Sequence, residues 1–140
     1  MNKKRQIVES ILRLSDIFKE IWEKEFLKKY NITPLQFNIL WVILEEWAET
    51  IQDVKQKLIV SSASLSQTLN RMEKKDLIKR IYWKWDKRYV WIKVTKEWEN
   101  LYYKLRDIYE KLINEKLKEM KNEDKLLDLL QELETLFIKK

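Results

Sequence analysis

The stretch Ser62-Ala-Ser-Leu-Ser-Gln-Thr-Leu-Asn-Arg-Met-Glu-Lys-Lys75 threads polar residues between Leu65, Leu69 and Met72. With those three apolar residues turned inward at helical spacing, Ser62, Ser64, Ser66, Gln67, Asn70, Arg71 and Lys74 form the outer face of a helix. Gln67, Asn70 and Arg71 can all present donors to base edges, and Ser62 and Ser64 can reach phosphate oxygens near the helix start. Helix capping by Ser61 or Ser62, together with ordinary surface polarity, is the plainer reading of the serines.

Charge favours the nucleic-acid reading. Between Arg71 and Lys96 ten basic residues stand against Glu73, Asp76 and Asp86, a local balance of +7 in a chain whose total is +6. The remaining residues therefore sum to −1, and the positive excess is local. A charge run by itself is often a solvated face, but here it adjoins a helix of groove-reading composition.

The elements that must position these side chains follow from periodicity. Ile7, Ile11, Leu14, Phe18, Ile21 and Phe26 mark an amphipathic helix from about residue 3 to Tyr30. Asn31-Ile-Thr-Pro34 stops it and starts the next, with Thr33 as cap and Pro34 at the first helical position. That second helix, Pro34 to about Glu46, buries Phe37, Leu40, Leu44 and either Val42 or Trp41. Ile51 to Leu58 and Ser62 to Lys75 then read as two short helices around a tight turn, a helix-turn-helix. Ile78–Tyr82 and Tyr89–Val94 alternate as two strands joined by Trp83-Lys-Trp-Asp-Lys-Arg88, a hairpin that forms a wing. A long helix from Lys96 to about Lys121 and a final one from Glu123 to Ile138 complete the order.

The predicted fold is thus mainly α, six helices with a small β-hairpin wing, in one domain. No apolar run approaches the roughly 20 residues of a membrane span and no signal-peptide pattern opens the chain, so a cytoplasmic protein with no membrane partner is expected. Cys and His are both absent. Thiol nucleophiles, disulfide chemistry, imidazole bases and the usual zinc sites are thereby excluded, and neither metal nor cofactor is expected. An enzyme is not expected either, for want of a nucleophile-base pair or a phosphate-cradling glycine loop.

At this point the residues resemble a known family. Ser64-Leu-Ser-Gln-Thr-Leu-Asn-Arg-Met-Glu-Lys-Lys-Asp-Leu-Ile-Lys-Arg80, Asp86-Lys-Arg88, Val94-Thr-Lys-Glu97 and Ile32-Thr-Pro-Leu-Gln-Phe-Asn-Ile-Leu40 look like a MarR-type regulator over nearly the whole chain. The resemblance implies a winged helix-turn-helix lobe at 34–98 and dimerisation helices at 1–33 and 99–140. It also implies a homodimer on a pseudo-palindromic operator in double-stranded DNA, acting as a transcriptional regulator and more specifically a repressor. On the wing it assigns Asp86 to bracing the hairpin and Arg88 to the minor groove, with Lys84 and Lys87 beside them. Leu126, Leu127, Leu130, Leu133, Phe137 and Ile138 offer the last helix more apolar surface than one subunit would cover, in keeping with a dimer.

Resembling regulators often take small aromatic or lipophilic effectors, and Phe18, Trp22, Phe37, Trp41, Tyr102 and Tyr103 are the candidate lining of such a cleft. Aromatic side chains at helical spacing are more commonly core, and core is the favoured reading. The lack of Cys excludes thiol-based peroxide sensing. A winged-helix module that binds protein or RNA without an operator is the alternative function.

One departure stands out. Gly is absent from the 140 residues while Trp occurs 7 times. Trp47 follows the second helix where a left-handed cap belongs, Trp83 and Trp85 occupy the wing turn, and Trp98 stands where the resembling family has glycine. Two explanations are open: UGA codons read as glycine in the source have been rendered as tryptophan, or the chain is enriched in tryptophan, with Trp83 and Trp85 stacking on nucleic acid.

Overall fold

The computed structural model describes residues 2–86 and 89–138. Helix α1 (Lys3–Trp22) begins at Asn2, whose side chain accepts from the Lys4 N–H at 2.8 Å. It continues without a break through a π-helical turn (Glu23–Leu27) into the short α2 (Lys28–Tyr30). Asn31 ends this rod at φ 54°, a left-handed conformation that asparagine tolerates better than most residues.

Thr33 and Gln36 form a reciprocal capping box that starts α3 (Pro34–Leu44), each side chain satisfying the other's backbone N–H. A second box, Thr50 with Asp53, starts α4 (Ile51–Lys57). Helix α5 (Ser62–Lys74) is capped by Ser61, which accepts from the Ser64 N–H at 3.1 Å and so decides between Ser61 and Ser62. Strands β1 (Ile78–Tyr82) and β2 (Val90–Val94) pair antiparallel with Ile78 opposite Val94 and Tyr82 opposite Val90. The segment before α4 adds to the outer edge of β2, where the Ile92 N–H donates to Glu49 O at 2.9 Å and Thr50 bridges Trp91. Helices α6 (Lys96–Leu117) and α7 (Glu123–Ile138) follow. Counting α1, the π turn and α2 as one rod, the described chain has six helices and one hairpin.

Two boundaries differ from the sequence reading by more than a residue. Helix α3 stops at Leu44 rather than Glu46, because Ala48 N–H bonds back to Val42 O while Trp47 turns to φ 60°. Helix α6 stops at Leu117, well before Lys121, in a tightened turn where Glu119 and Met120 N–H donate to Lys116 and Leu117 O. Val42 is buried and Trp41 largely exposed, which resolves the choice between them.

The chain divides into two compact units, 1–103 and 104–140. In the first, Phe26, Ile32, Ile39, Leu40, Val54, Leu65, Leu69, Met72, Leu77 and Ile78 are almost fully buried. The core thus draws on the π turn, α3, α4, α5 and β1. Leu65, Leu69 and Met72 are the inward stripe expected of α5, so burial of these three fixes which face of that helix meets water. No helix among the described residues is long and apolar enough to cross a membrane.

Candidate nucleic-acid interface

Helix α5 presents every residue assigned to it by sequence: Ser62, Ser64, Ser66, Gln67, Asn70, Arg71 and Lys74 are all exposed. They do not all share one line. Gln67, Asn70, Arg71 and Lys74 recur at spacings of three and four and lie along one stripe, whereas Ser66 is turned about 100° from Gln67. Ser62 points toward α4, where the Lys55 ammonium donates to its hydroxyl. Ser64 gives its N–H to the Ser61 cap. Gln67, Asn70, Arg71 and Lys74 thus form one exposed polar stripe, while Ser62 and Ser64 belong to the helix start.

The first turn of α5 carries no acidic residue. The Lys55 ammonium lies at this helix start, beside its partial positive charge. Lys55 was not singled out in the sequence. Its proximity to Ser62 depends on the turn between α4 and α5, and seven residues of separation carry no signal for it.

The hairpin is tied to α5. Arg80 on β1 donates from Nη2 to Asn70 Oδ1 at 2.8 Å, and its backbone N–H donates to Glu73 Oε2 at 3.3 Å. Thr95, just after β2, closes the base of the wing through its hydroxyl, which donates to Asp76 O at 2.8 Å, while its N–H donates to Leu77 O at 3.1 Å. At the far end the Tyr89 N–H donates to Asp86 O at 3.3 Å, and the Lys84 ammonium sits over the Trp85 ring, 5.5 Å from its centroid. Arg88, the wing residue expected in a minor groove, and Lys87 beside it lie outside the described residues.

The aromatic side chains considered for an effector cleft separate into two groups. Trp22, Phe37 and Tyr102 are buried and in ring contact, with Trp22 edge-on to Phe37 and Phe37 tilted against Tyr102, each pair 5.0 Å between centroids. Phe26 joins at 4.6 Å from Trp22 and Tyr103 at 5.2 Å from Tyr102. The indole N–H of Trp22 donates to Ile32 O at 3.0 Å, satisfying the one polar atom of that ring. These are core contacts, as the favoured reading has it. Phe18 and Trp41 stand apart, both largely exposed.

With this geometry in hand, the chain can be set beside known proteins. Residues 22–105 match the family model described as transcriptional regulator SarA/Rot. The chain belongs to this family. The HTH-type transcriptional regulator MgrA of Staphylococcus aureus is 30% identical over 111 residues, covering 79% of this chain and 76% of that protein. Among solved structures, a MarR/EmrR family transcriptional regulator from Acinetobacter sp. ADP1 superposes with a TM-score of 0.81 over 100% of both chains at 22% identity. Reduced AbfR bound to DNA superposes at 0.69 with 27% identity, covering 96% of this chain and 95% of that one. The SarA/Rot match and the MarR-type fold agree with the resemblance carried by Ser64–Arg80, and the matched span contains all of α3, α4, α5, β1 and β2.

Proposed function

We propose that this SarA/Rot family member is a sequence-specific regulator of transcription that binds double-stranded DNA as a homodimer. Helix α5 enters the major groove with Gln67, Asn70, Arg71 and Lys74, and the wing follows the backbone into the adjacent minor groove through Lys84, Lys87 and Arg88, with Asp86 bracing the hairpin. The observation that carries this reading is the exposed stripe on α5, held by a buried stripe on its other side and joined to the hairpin by Arg80. The DNA-bound state of AbfR supports it.

The dimer rests on apolar surface. Ile7, Ile11, Leu14 and Phe18 line α1 and are each 41–55% exposed, and on α7 Leu127, Leu130, Phe137 and Ile138 are 46–78% exposed. A second copy of the chain is the occupant that exposed apolar helix faces of this kind take, and it would set two reading helices on adjacent half-sites of a pseudo-palindrome. Occupation of an operator that overlaps a promoter gives repression.

Selection of bound fragments from a random duplex library, at stated salt, tests the proposal. One pseudo-palindromic consensus is expected, with affinity falling steeply as salt rises. Enrichment without a consensus, or undiminished selectivity in both Asn70→Ala and Arg88→Ala, would overturn the assigned readout. Preference for RNA or for a protein partner would favour the winged-helix module without an operator.

A further inference from the structure

We propose that Arg80 is a positioning residue that decides which base edge Asn70 reads. This rests on the DNA-reading role of α5. The Arg80 guanidinium donates to Asn70 Oδ1 at 2.8 Å while the Arg80 backbone N–H holds Glu73 at 3.3 Å, so one strand residue grips the reading helix at two points. A guanidinium has donors only. The Asn70 atom that meets it is therefore the oxygen, and the amide NH2 is the group turned away from β1.

An unconstrained asparagine reads adenine in two bonds, its oxygen accepting from N6 and its NH2 donating to N7. With the oxygen drawn toward β1, Asn70 offers its exposed NH2 as a donor. That matches the paired guanine acceptors N7 and O6 or the thymine O4, whereas adenine, left with N7 alone as acceptor, loses the N6 bond that made its contact two-point. Arg80 Nε is buried and has no hydrogen-bond partner. Nη2, by contrast, has its acceptor in Asn70, which holds the guanidinium beside α5.

The test is duplex selection with the full chain and with Asn70→Ala, Arg80→Met and Arg80→Lys. The position whose preference vanishes in Asn70→Ala is the one Asn70 reads, and guanine or thymine is expected there for the parent chain. Arg80→Met should shift that position toward adenine on the order of tenfold, and Arg80→Lys, which keeps a donor, should restore the parent preference. Adenine preferred by the parent chain, or an unchanged preference in Arg80→Met, would overturn the proposal. The first of these outcomes needs no folded Arg80 variant. If the parent chain enriches no sequence, the DNA reading itself fails, a different result.

A second inference has an independent basis in the loop after α3. Among the described residues three that are not glycine have positive φ: Asn31, Asp76 and Trp47. Asparagine and aspartate visit this region at modest cost, but tryptophan, whose β-carbon crowds the following carbonyl, does not. Trp47 gains nothing in return, being 82% exposed at φ 60°. Trp83 and Trp85 are likewise exposed in the hairpin turn, and the chain has no glycine at all. We infer that Trp47 is a glycine in the natural chain, written as a UGA codon that its source reads as glycine. The gene should carry UGA at this position, and peptide sequencing of the protein made in its own source should find glycine there. UGG at Trp47, or tryptophan at that position in the source-made protein, would overturn the inference.

Discussion

The phenol of Tyr102 donates to Glu45 Oε2 at 2.5 Å, joining the start of α6 to the residue that ends α3. Tyr102 is almost completely buried, and its ring lies 5.0 Å from that of Phe37, tilted by 30°. The pair thus joins the end of α3 to the aromatic core just before the chain turns at Trp47 toward α4.

Tyr102→Phe keeps the ring and removes the donor. A hydrogen bond to a carboxylate contributes roughly 1.5–3 kcal/mol, and partial solvation of Glu45 places the expected loss near the bottom of that range. Urea denaturation should show a lower midpoint with an unchanged slope, while a ring-removing change such as Tyr102→Ala should cost about 3–5 kcal/mol.

Asp53 predicts an acid limb in stability. The Glu49 N–H, donating to its carboxylate at 3.0 Å, holds its pKa below the ordinary 3.8, opposed by some desolvation and aided by the Thr50 N–H and hydroxyl and by the Lys57 charge. A carboxyl group whose folded pKa is depressed stabilises fully above its unfolded value and loses that contribution as pH falls through the folded value. The difference in thermal midpoint between the parent chain and Asp53→Ala should therefore be constant above about pH 5 and shrink below about pH 4. A difference that stays level to low pH would remove Asp53 from this role.

Ile11→Glu places a carboxylate on the exposed stripe of α1. Sedimentation should then report a single chain, with the parent at twice that mass. Because two linked half-sites bind far better than one, affinity for the selected duplex should fall on the order of a hundredfold. Unchanged mass would mean that this stripe does not carry the dimer.

Trp47→Gly should stabilise the chain by about 1 kcal/mol, since the left-handed conformation penalises any β-carbon. Trp47→Ala retains that penalty and should give little gain. Equal midpoints for the two variants would remove backbone conformation as the explanation.

Legibility from sequence followed how local each determinant is. Thr33, Pro34 and Gln36 act within one turn, and the cap they specify forms as read. The hairpin limits at Ile78 and Tyr82 come from simple alternation and are met as well. The outward face of α5 was legible because Leu65, Leu69 and Met72 fix its inward face. What stayed out of reach depends on neighbours far along the chain or on fine backbone choices. The grip of Arg80 on Asn70 needs β1 to fold beside α5, and a count of basic residues cannot tell a bracing cation from a phosphate-binding one. The Lys55 contact with Ser62 needs the geometry of an intervening turn. Aromatic spacing did not separate Trp41, exposed, from Phe37, buried, although the two lie four residues apart on one helix.

The π turn at Glu23–Leu27, where Lys28 N–H reaches back to Glu23 O, makes the first rod a two-phase shaft. One surplus residue lets the stripe of Ile7, Ile11 and Leu14 keep its own bearing while Trp22 and Phe26 are indexed to a different one, into the aromatic core. Removing a single residue there would re-time one half against the other by about 100°. Rotational alignment between the exposed apolar stripe of α1 and the aromatic core is thus set by an inserted amide, a vernier that the length of the helix alone does not supply.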